Sequence, residues 1–189
     1  MSPFPNIALM GRARSGKDSV AAHLVARFAY GRIAFADPLR EAALKIDPWM
    51  PVGYAMNTRL SSMVERHGWE YAKDAYPEVR RLLQHIGQTV RDYDEDFWLN
   101  VAARKISGAA GWGIPVVVTD VRYPNEYDAL RRAGFTMVRV VRPSEAPPAP
   151  HGNHVSETAL DGHEADVTVY NTSTLDELRA RAELLATAK

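Results

Sequence analysis

The chain has 189 residues, 46% hydrophobic and 24% charged, which is about one domain's worth with a sizeable core of its own. Its 23 basic and 23 acidic residues cancel, so no field of one sign draws the whole molecule to polymeric nucleic acid or membrane. With no cysteine there is no disulfide framework, thiolate metal site or thiol nucleophile. The opening Met1-Ser2-Pro3-Phe4-Pro5-Asn6 lacks a signal-peptide pattern, and no apolar run approaches the roughly 18 residues of a membrane span. These features suit a cytoplasmic protein.

Asn6 to Met10 is a short apolar run stopped by Gly11, the pattern of a buried strand. After a Gly-containing turn, Val20, Leu24, Val25 and Phe28 recur at helical spacing, and Gly31 ends the helix. A second strand is predicted at Arg32 to Phe35, then a helix from near Pro38 to about Ile46. Asp47 to Thr58, with Pro48, Pro51 and Gly53, reads as a loop. A helical region in several pieces fills about Arg59 to Ile106, its clearest piece presenting Val79, Leu82, Leu83, Ile86 and Val90 on one face. Further strands are predicted at Ile114 to Thr119, Thr136 to Val141 and Asp166 to Tyr170. Between the first two lies a helix from about Asn125 to Ala133. The excursion Pro143 to Gly162 is rich in Pro, Gly and His, and the last helix opens on a capping box of Thr174 and Glu177. Strands alternating with helices argue for an α/β fold, a parallel sheet covered on both faces, in one domain with two insertions.

Gly11-Arg12-Ala13-Arg14-Ser15-Gly16-Lys17-Asp18 has the G-x-x-x-x-G-K spacing of a phosphate-binding loop. The glycines let consecutive N–H groups, those of Arg14, Ser15 and Gly16 among them, converge on phosphate oxygens. The positive end of the following helix points at the same anion. Lys17 adds a charge that reaches the β- and γ-phosphates. The next residue is usually Ser or Thr, whose hydroxyl ligates Mg²⁺. Here it is Asp18, followed by Ser19, and a carboxylate is a competent hard-oxygen ligand. A chance string in an ordinary turn is the plainer reading of the spacing alone. The preceding strand and following amphipathic helix argue against it.

Val116-Val117-Val118-Thr119-Asp120 is an apolar strand ending in a carboxylate. In a parallel sheet that end lies beside the loop, where Asp120 can serve Mg²⁺, although strands also end in ordinary Asp turns. Arg80, Gln84, Gly87 and Arg91 form one helical stripe. Two guanidiniums, an amide and a position without a side chain make either a groove for a phosphate and a base or a solvated face. Arg122, Arg139 and Arg142 flank the late excursion and are candidates for neutralising a transferring phosphoryl group. His151, His154 and His163 lack the spacing of a zinc site and read as loop histidines.

Taken together, several strings resemble bacteriophage deoxynucleoside monophosphate kinases. They are Gly-x4-Gly-Lys-Asp, Phe35-Ala36-Asp37-Pro38-Leu39-Arg40, Leu83-Gln84-His85-Ile86-Gly87 with Arg91, Asp120-Val121-Arg122-Tyr123-Pro124-Asn125-Glu126, and His154-Val155-Ser156-Glu157. The likeness runs on through Ala165-Asp166-Val167 to Asn171. It implies a P-loop kinase fold, a five-stranded parallel sheet in order 2-3-1-4-5. A helical acceptor-binding insertion would occupy about 47–106 and a lid about 143–164. It also implies transfer of the ATP γ-phosphate to a dNMP with Mg²⁺, giving dNDP and ADP.

Under this resemblance Gly11, Arg14, Ser15, Gly16, Lys17, Asp18 and Ser19 would hold the ATP phosphates, and Asp18 and Asp120 the metal. Asp37, Arg40, Gln84, Arg91 and Arg122 would face the acceptor, and apart from the resemblance the bulky neighbours Tyr93, Phe97 and Trp98 could wall its pocket. Lys17, Arg122 and Arg142 would act on the transferring group, Arg142 from the start of the lid. The chain departs from arginine-rich lids in having no arginine between Ser144 and Asp166. The implied partners are small nucleotides, not membrane or polymeric nucleic acid, with homodimerisation left open. Phosphomevalonate kinases of the animal type share the Gly-Lys-Asp variant and, with dephospho-coenzyme A kinases, form the alternative reading. A non-catalytic nucleotide-binding protein is a third. The Asn-Lys-x-Asp string that a GTPase uses to read its base is absent.

Overall fold

The computed structural model describes residues 2–54, 56–143 and 158–187. The run predicted as the first strand is β1 (Ile7–Met10), all four residues of which are fully buried. It leads through the glycine-bearing loop into α1 (Lys17–Phe28) and then β2 (Gly31–Ile33). Next come α2 (Ala36–Ile46), β3 (Trp49–Gly53), β4 (Met56–Arg59), α3 (Leu60–Ala75), α4 (Pro77–Tyr93) and α5 (Phe97–Gly111). The chain continues with β5 (Val116–Val121), α6 (Pro124–Arg132), β6 (Thr136–Val141), β7 (Val167–Tyr170) and α7 (Leu175–Thr187).

Two units emerge. One comprises Met1–Phe35 with Ala102–Lys189, the other Ala36–Val101. The first holds a five-stranded sheet ordered β2-β5-β1-β6-β7, every neighbour parallel. Counting only this sheet's strands in chain order, that is the expected 2-3-1-4-5. β1 sits at the centre because it is the most uniformly apolar strand, with Ile7 beside both Val117 and Thr136. α1 and α7 close one face, packing Val20, Leu24, Leu178, Ala182 and Leu185 against Leu9, Val138 and Val169. Thr174 Oγ1 accepts the Glu177 N–H at 3.3 Å, so the predicted cap of α7 forms.

In the second unit, α2, α3 and α4 surround a core of Ala43, Met50, Leu60, Met63, Ala72, Val79 and Leu83. Here the expected loop over Asp47 to Thr58 is instead an antiparallel hairpin, β3 with β4. Pro51 and Gly53 signalled a loop, but in a two-stranded ribbon both strands are edges. A proline without a donor is tolerated there. Met50 buries one face of the hairpin, and the Arg59 guanidinium lies 4.4 Å over the Trp49 ring on the exposed side.

Two element ends also move. β2 stops at Ile33 and α2 starts at Ala36, so Asp37 lies in a helix's first turn. β5 runs past Asp120, which is therefore inside the strand and not its terminus. Most of the expected lid, with His151 and the string His154-Val155-Ser156-Glu157, lies outside the described residues.

Candidate functional site

All five strands being parallel, the carboxyl ends of β1, β5, β6 and β7 come to one edge of the sheet, the position where α/β sheets bind ligands. The phosphate-loop string follows β1 there. Gly11 and Gly16 have φ of 132° and 108°, and Arg14 is left-handed at 62°. A Cβ at Gly11 would stand 2.3 Å from the Val140 carbonyl oxygen, so the loop needs glycine for space as well as for φ. Lys17 is buried, and its ammonium donates to the carbonyls of Gly11 and Arg12, both at 2.7 Å, with Ser15 Oγ at 3.4 Å.

Above the loop lies a cavity of about 370 Å³, lined by Arg14, Ser15, Gly16, Lys17, Asp18, Ser19, Arg142, Asn171, Ser173, Leu175 and Leu178. The predicted loop residues from Arg14 to Ser19 and Arg142 thus line one cavity, which Gly11 does not. Among the described residues, three cations against one carboxylate give the cavity lining the sign that attracts a polyphosphate. Asn171, Ser173, Leu175 and Leu178 were not assigned a role from sequence. They come from the segment after β7 and from α7, more than 150 positions from the loop.

Asp120 is half-buried, and its Oδ1 accepts the Phe35 N–H at 2.8 Å. Arg122 follows β5, and its N–H is accepted by Glu126 Oε2 at 2.8 Å, which also takes the Tyr123 N–H at 3.1 Å. Glu126 is a fully buried carboxylate in the first turn of α6, where the helix's positive end favours it. It fixes the backbone that carries Arg122. Arg139 parts company with Arg142: its guanidinium donates to the carbonyls of Leu160 and His163, so it anchors a turn. Arg12 reaches the same turn through Asp161 at 3.1 Å.

The remaining predicted residues lie in the second unit. Asp37 and Arg40 are one helical turn apart on α2, 3.9 Å between charged atoms, and Arg40 also approaches Glu70 at 3.4 Å. Lys73 pairs with Glu70 at 2.7 Å. Burial pulls its pKa below the ordinary lysine value, the Glu70 pair opposes that, and the nearby Arg40 and Arg80 charges add to the lowering. Three cations therefore gather where sequence reading named only Arg40 and Arg80. On α4, Arg80 reaches Asp74 at 3.4 Å and Arg91 reaches the Glu95 carbonyl at 3.4 Å, while Gln84 is half-buried.

Beside Gly87 stands Leu39 of α2: a Cβ at Gly87 would lie 3.4 Å from Leu39 Cδ2, an ordinary contact. Trp98 is buried, with its indole N–H donating to the Gly87 carbonyl at 3.2 Å, which commits its polar edge to α4.

Among the described residues no group of three or more His, Cys, Asp or Glu side chains could hold a metal by itself. That is compatible with Mg²⁺, which takes one or two carboxylates and completes its shell with water and substrate phosphates. Asp18 lies in the cavity wall, and Asp120 lies near the carboxyl end of β5. No helix among the described residues is long and apolar enough to cross a membrane.

Comparison with known proteins supplies the family. The chain is 25% identical to a putative deoxynucleotide monophosphate kinase of Acanthamoeba polyphaga mimivirus, over 90% of each chain. It is 31% identical to the deoxynucleotide monophosphate kinase of Enterobacteria phage T4, over 53% of this chain and 42% of that one. An uncharacterized protein of Ictalurid herpesvirus 1 is 39% identical over 52% of this chain and 44% of its own. The match thus spans less than half the length of the T4 and herpesvirus relatives. Among solved structures, a Janibacter sugar kinase superposes with a TM-score of 0.51 at 15% identity, covering 98% of this chain and 95% of that one. A Thermus thermophilus protein gives 0.51 at 18% identity over the whole of both chains. These two show the fold alone. The profile of the deoxynucleotide monophosphate kinase family matches residues 55–182, about two thirds of the chain. That match begins beyond the phosphate loop, so the loop geometry and the family likeness are separate observations, and they agree: this chain belongs to the deoxynucleotide monophosphate kinase family.

Proposed function

We propose that the chain transfers the γ-phosphoryl group of ATP to a deoxynucleoside monophosphate, yielding ADP and the deoxynucleoside diphosphate. The observation that carries this reading is the cationic cavity over the glycine loop, in a chain of this family. An acceptor phosphate oxygen attacks the γ-phosphorus while its bond to the β-bridging oxygen breaks. The acceptor is already anionic, so no general base is required. Lys17 and the loop N–H groups hold the triphosphate, and Arg142 offsets charge on the transferring group from the cavity's other wall. Asp18 and Asp120 would hold Mg²⁺, which would supply further charge neutralisation.

The acceptor-binding insertion expected at about 47–106 falls largely within the unit Ala36–Val101, and Asp37, Arg40, Gln84, Arg91, Trp98 and Arg122 would be the acceptor-binding residues. Encoded by a phage, such an enzyme would work in the host cytoplasm. A coupled ADP-release assay across deoxy and ribo monophosphates tests the reading. Turnover with at least one dNMP is expected. Activity on phosphomevalonate or dephospho-coenzyme A with none on any nucleotide overturns it, as does ATP binding without transfer.

A further inference from the structure

We infer that Asn171 is a positioning residue that locks the phosphate loop and ties it to the strand end carrying Arg142. Its side-chain Nδ2 donates to the Ser15 carbonyl at 3.0 Å, across 156 positions of sequence. Its backbone N–H donates to the Val141 carbonyl at 2.7 Å, one residue before Arg142. A single half-buried residue at the end of β7 therefore grips both walls of the cavity.

The loop is built to receive this contact. A Cβ on Gly16 would lie 2.7 Å from Asn171 Nδ2 and 3.2 Å from Leu178 Cδ2. The second loop glycine is thus favoured by its φ of 108°, and a Cβ there would push the Asn171 amide out of its place against the loop. Ser15 is buried, so its carbonyl has little water to turn to if the amide is lost. Without that bond the Ser15–Gly16 peptide, whose N–H is Gly16's, loses the contact that fixes its orientation in the cavity lining. Pre-set donors are what make such a loop bind phosphate without reorganising at the moment of transfer.

An amide is the side chain this geometry selects. Aspartate has the same shape but would set a carboxylate oxygen against the Ser15 carbonyl oxygen and add negative charge beside the phosphates. Only its protonated form can donate.

This inference rests on the cavity being the triphosphate site, and the experiment separates the two. Mg·ADP binding by calorimetry and steady-state constants are measured for the parent, Asn171→Ala, Asn171→Asp and the exposed neighbour Thr172→Ala. The parent and Thr172→Ala should bind alike. Asn171→Ala should weaken ADP binding about five- to tenfold, as expected for one partly buried hydrogen bond. It should raise the KM for ATP and lower kcat while leaving the KM of the acceptor within about twofold. Asn171→Asp should be worse at neutral pH, and its deficit relative to the parent should shrink as pH falls toward the carboxyl's titration range of about 4. A purely space-filling role would give Asn171→Asp near-parental binding at every pH. That result, or Asn171→Ala binding ADP as the parent does, overturns the inference. Should either variant fail to fold, the parent's own Asn171 side-chain amide decides by NMR. Slow exchange with solvent and a shift on ADP addition support the lock, and fast exchange with no shift overturns it. A parent that binds no ADP refutes the site reading itself.

Discussion

Lys17 Nζ donates to the Gly11 carbonyl at 2.7 Å, which folds the loop's one lysine back onto its first glycine. The Arg12 carbonyl takes a second bond of the same length, so the ammonium is pre-placed under the cavity by main-chain oxygens. Lys17→Ala should cut transfer by about 10²–10³, the usual cost of losing one pre-placed donor at developing charge. It should also lower stability by about 1–2 kcal/mol, because two carbonyls lose their donor. Circular dichroism should still show the parental fold. Steady-state rates close to the parent's would remove the loop from the mechanism.

Asp18 and Asp120 are expected to act through Mg²⁺. Asp18→Asn and Asp120→Asn should each raise the magnesium concentration for half-maximal rate. In Asp120→Asn the amide oxygen can still accept the Phe35 N–H, so melting temperature should move less than the metal requirement. A magnesium titration of each variant checks this, and parental curves for both would exclude the pair from the metal shell.

Arg91 is expected to pair with the acceptor phosphate through two parallel hydrogen bonds. Lysine cannot reproduce that fork, so Arg91→Lys should raise the acceptor's KM with little change in the KM of ATP. The same pocket should favour a dNMP over its ribo counterpart by about 10², the discrimination that shape alone gives against an added hydroxyl. Equal kcat/KM for a deoxy and ribo pair would argue against it.

Tyr30 gives a pH prediction. It is buried, its hydroxyl donates to the Pro5 carbonyl at 2.8 Å, and burial pushes its pKa from 10.0 up to about 12. The folded state therefore keeps a proton that the unfolded chain gives up sooner. The associated stability is complete below pH 10 and is lost as pH rises from 10 through about 12. Tyr30→Phe should cost about 1 kcal/mol at neutral pH for the lost hydrogen bond. Its deficit should narrow above pH 10, because phenylalanine has nothing to ionise. Urea midpoints on either side of pH 10 measure the difference.

The sequence by itself determined what depends on neighbours along the chain. The apolar run Ile7 to Met10, the spacing from Gly11 to Lys17 and the helical period after it identify a strand, an anion-binding loop and a helix, because each is decided within a few residues. The alternation of such units was enough for a parallel sheet, whereas its strand order was implied only by the family resemblance. Tertiary structure alone decided where local signals were ambiguous or partners distant. Pro51 and Gly53 look the same in a loop and in a hairpin whose strands are both edges, and only the burial of Met50 separates the two. Arg139 and Arg142 are three positions apart and equally basic, yet one anchors the turn at Leu160 and His163 while the other lines the cavity. Gly87 shows in sequence only as a position without a side chain, and the fold alone sets Leu39 beside it. Asn171 carries no local mark of its role, because the carbonyl it holds belongs to Ser15, and a hydrogen bond across 156 positions exists only once the sheet has brought β1 and β7 to the same edge.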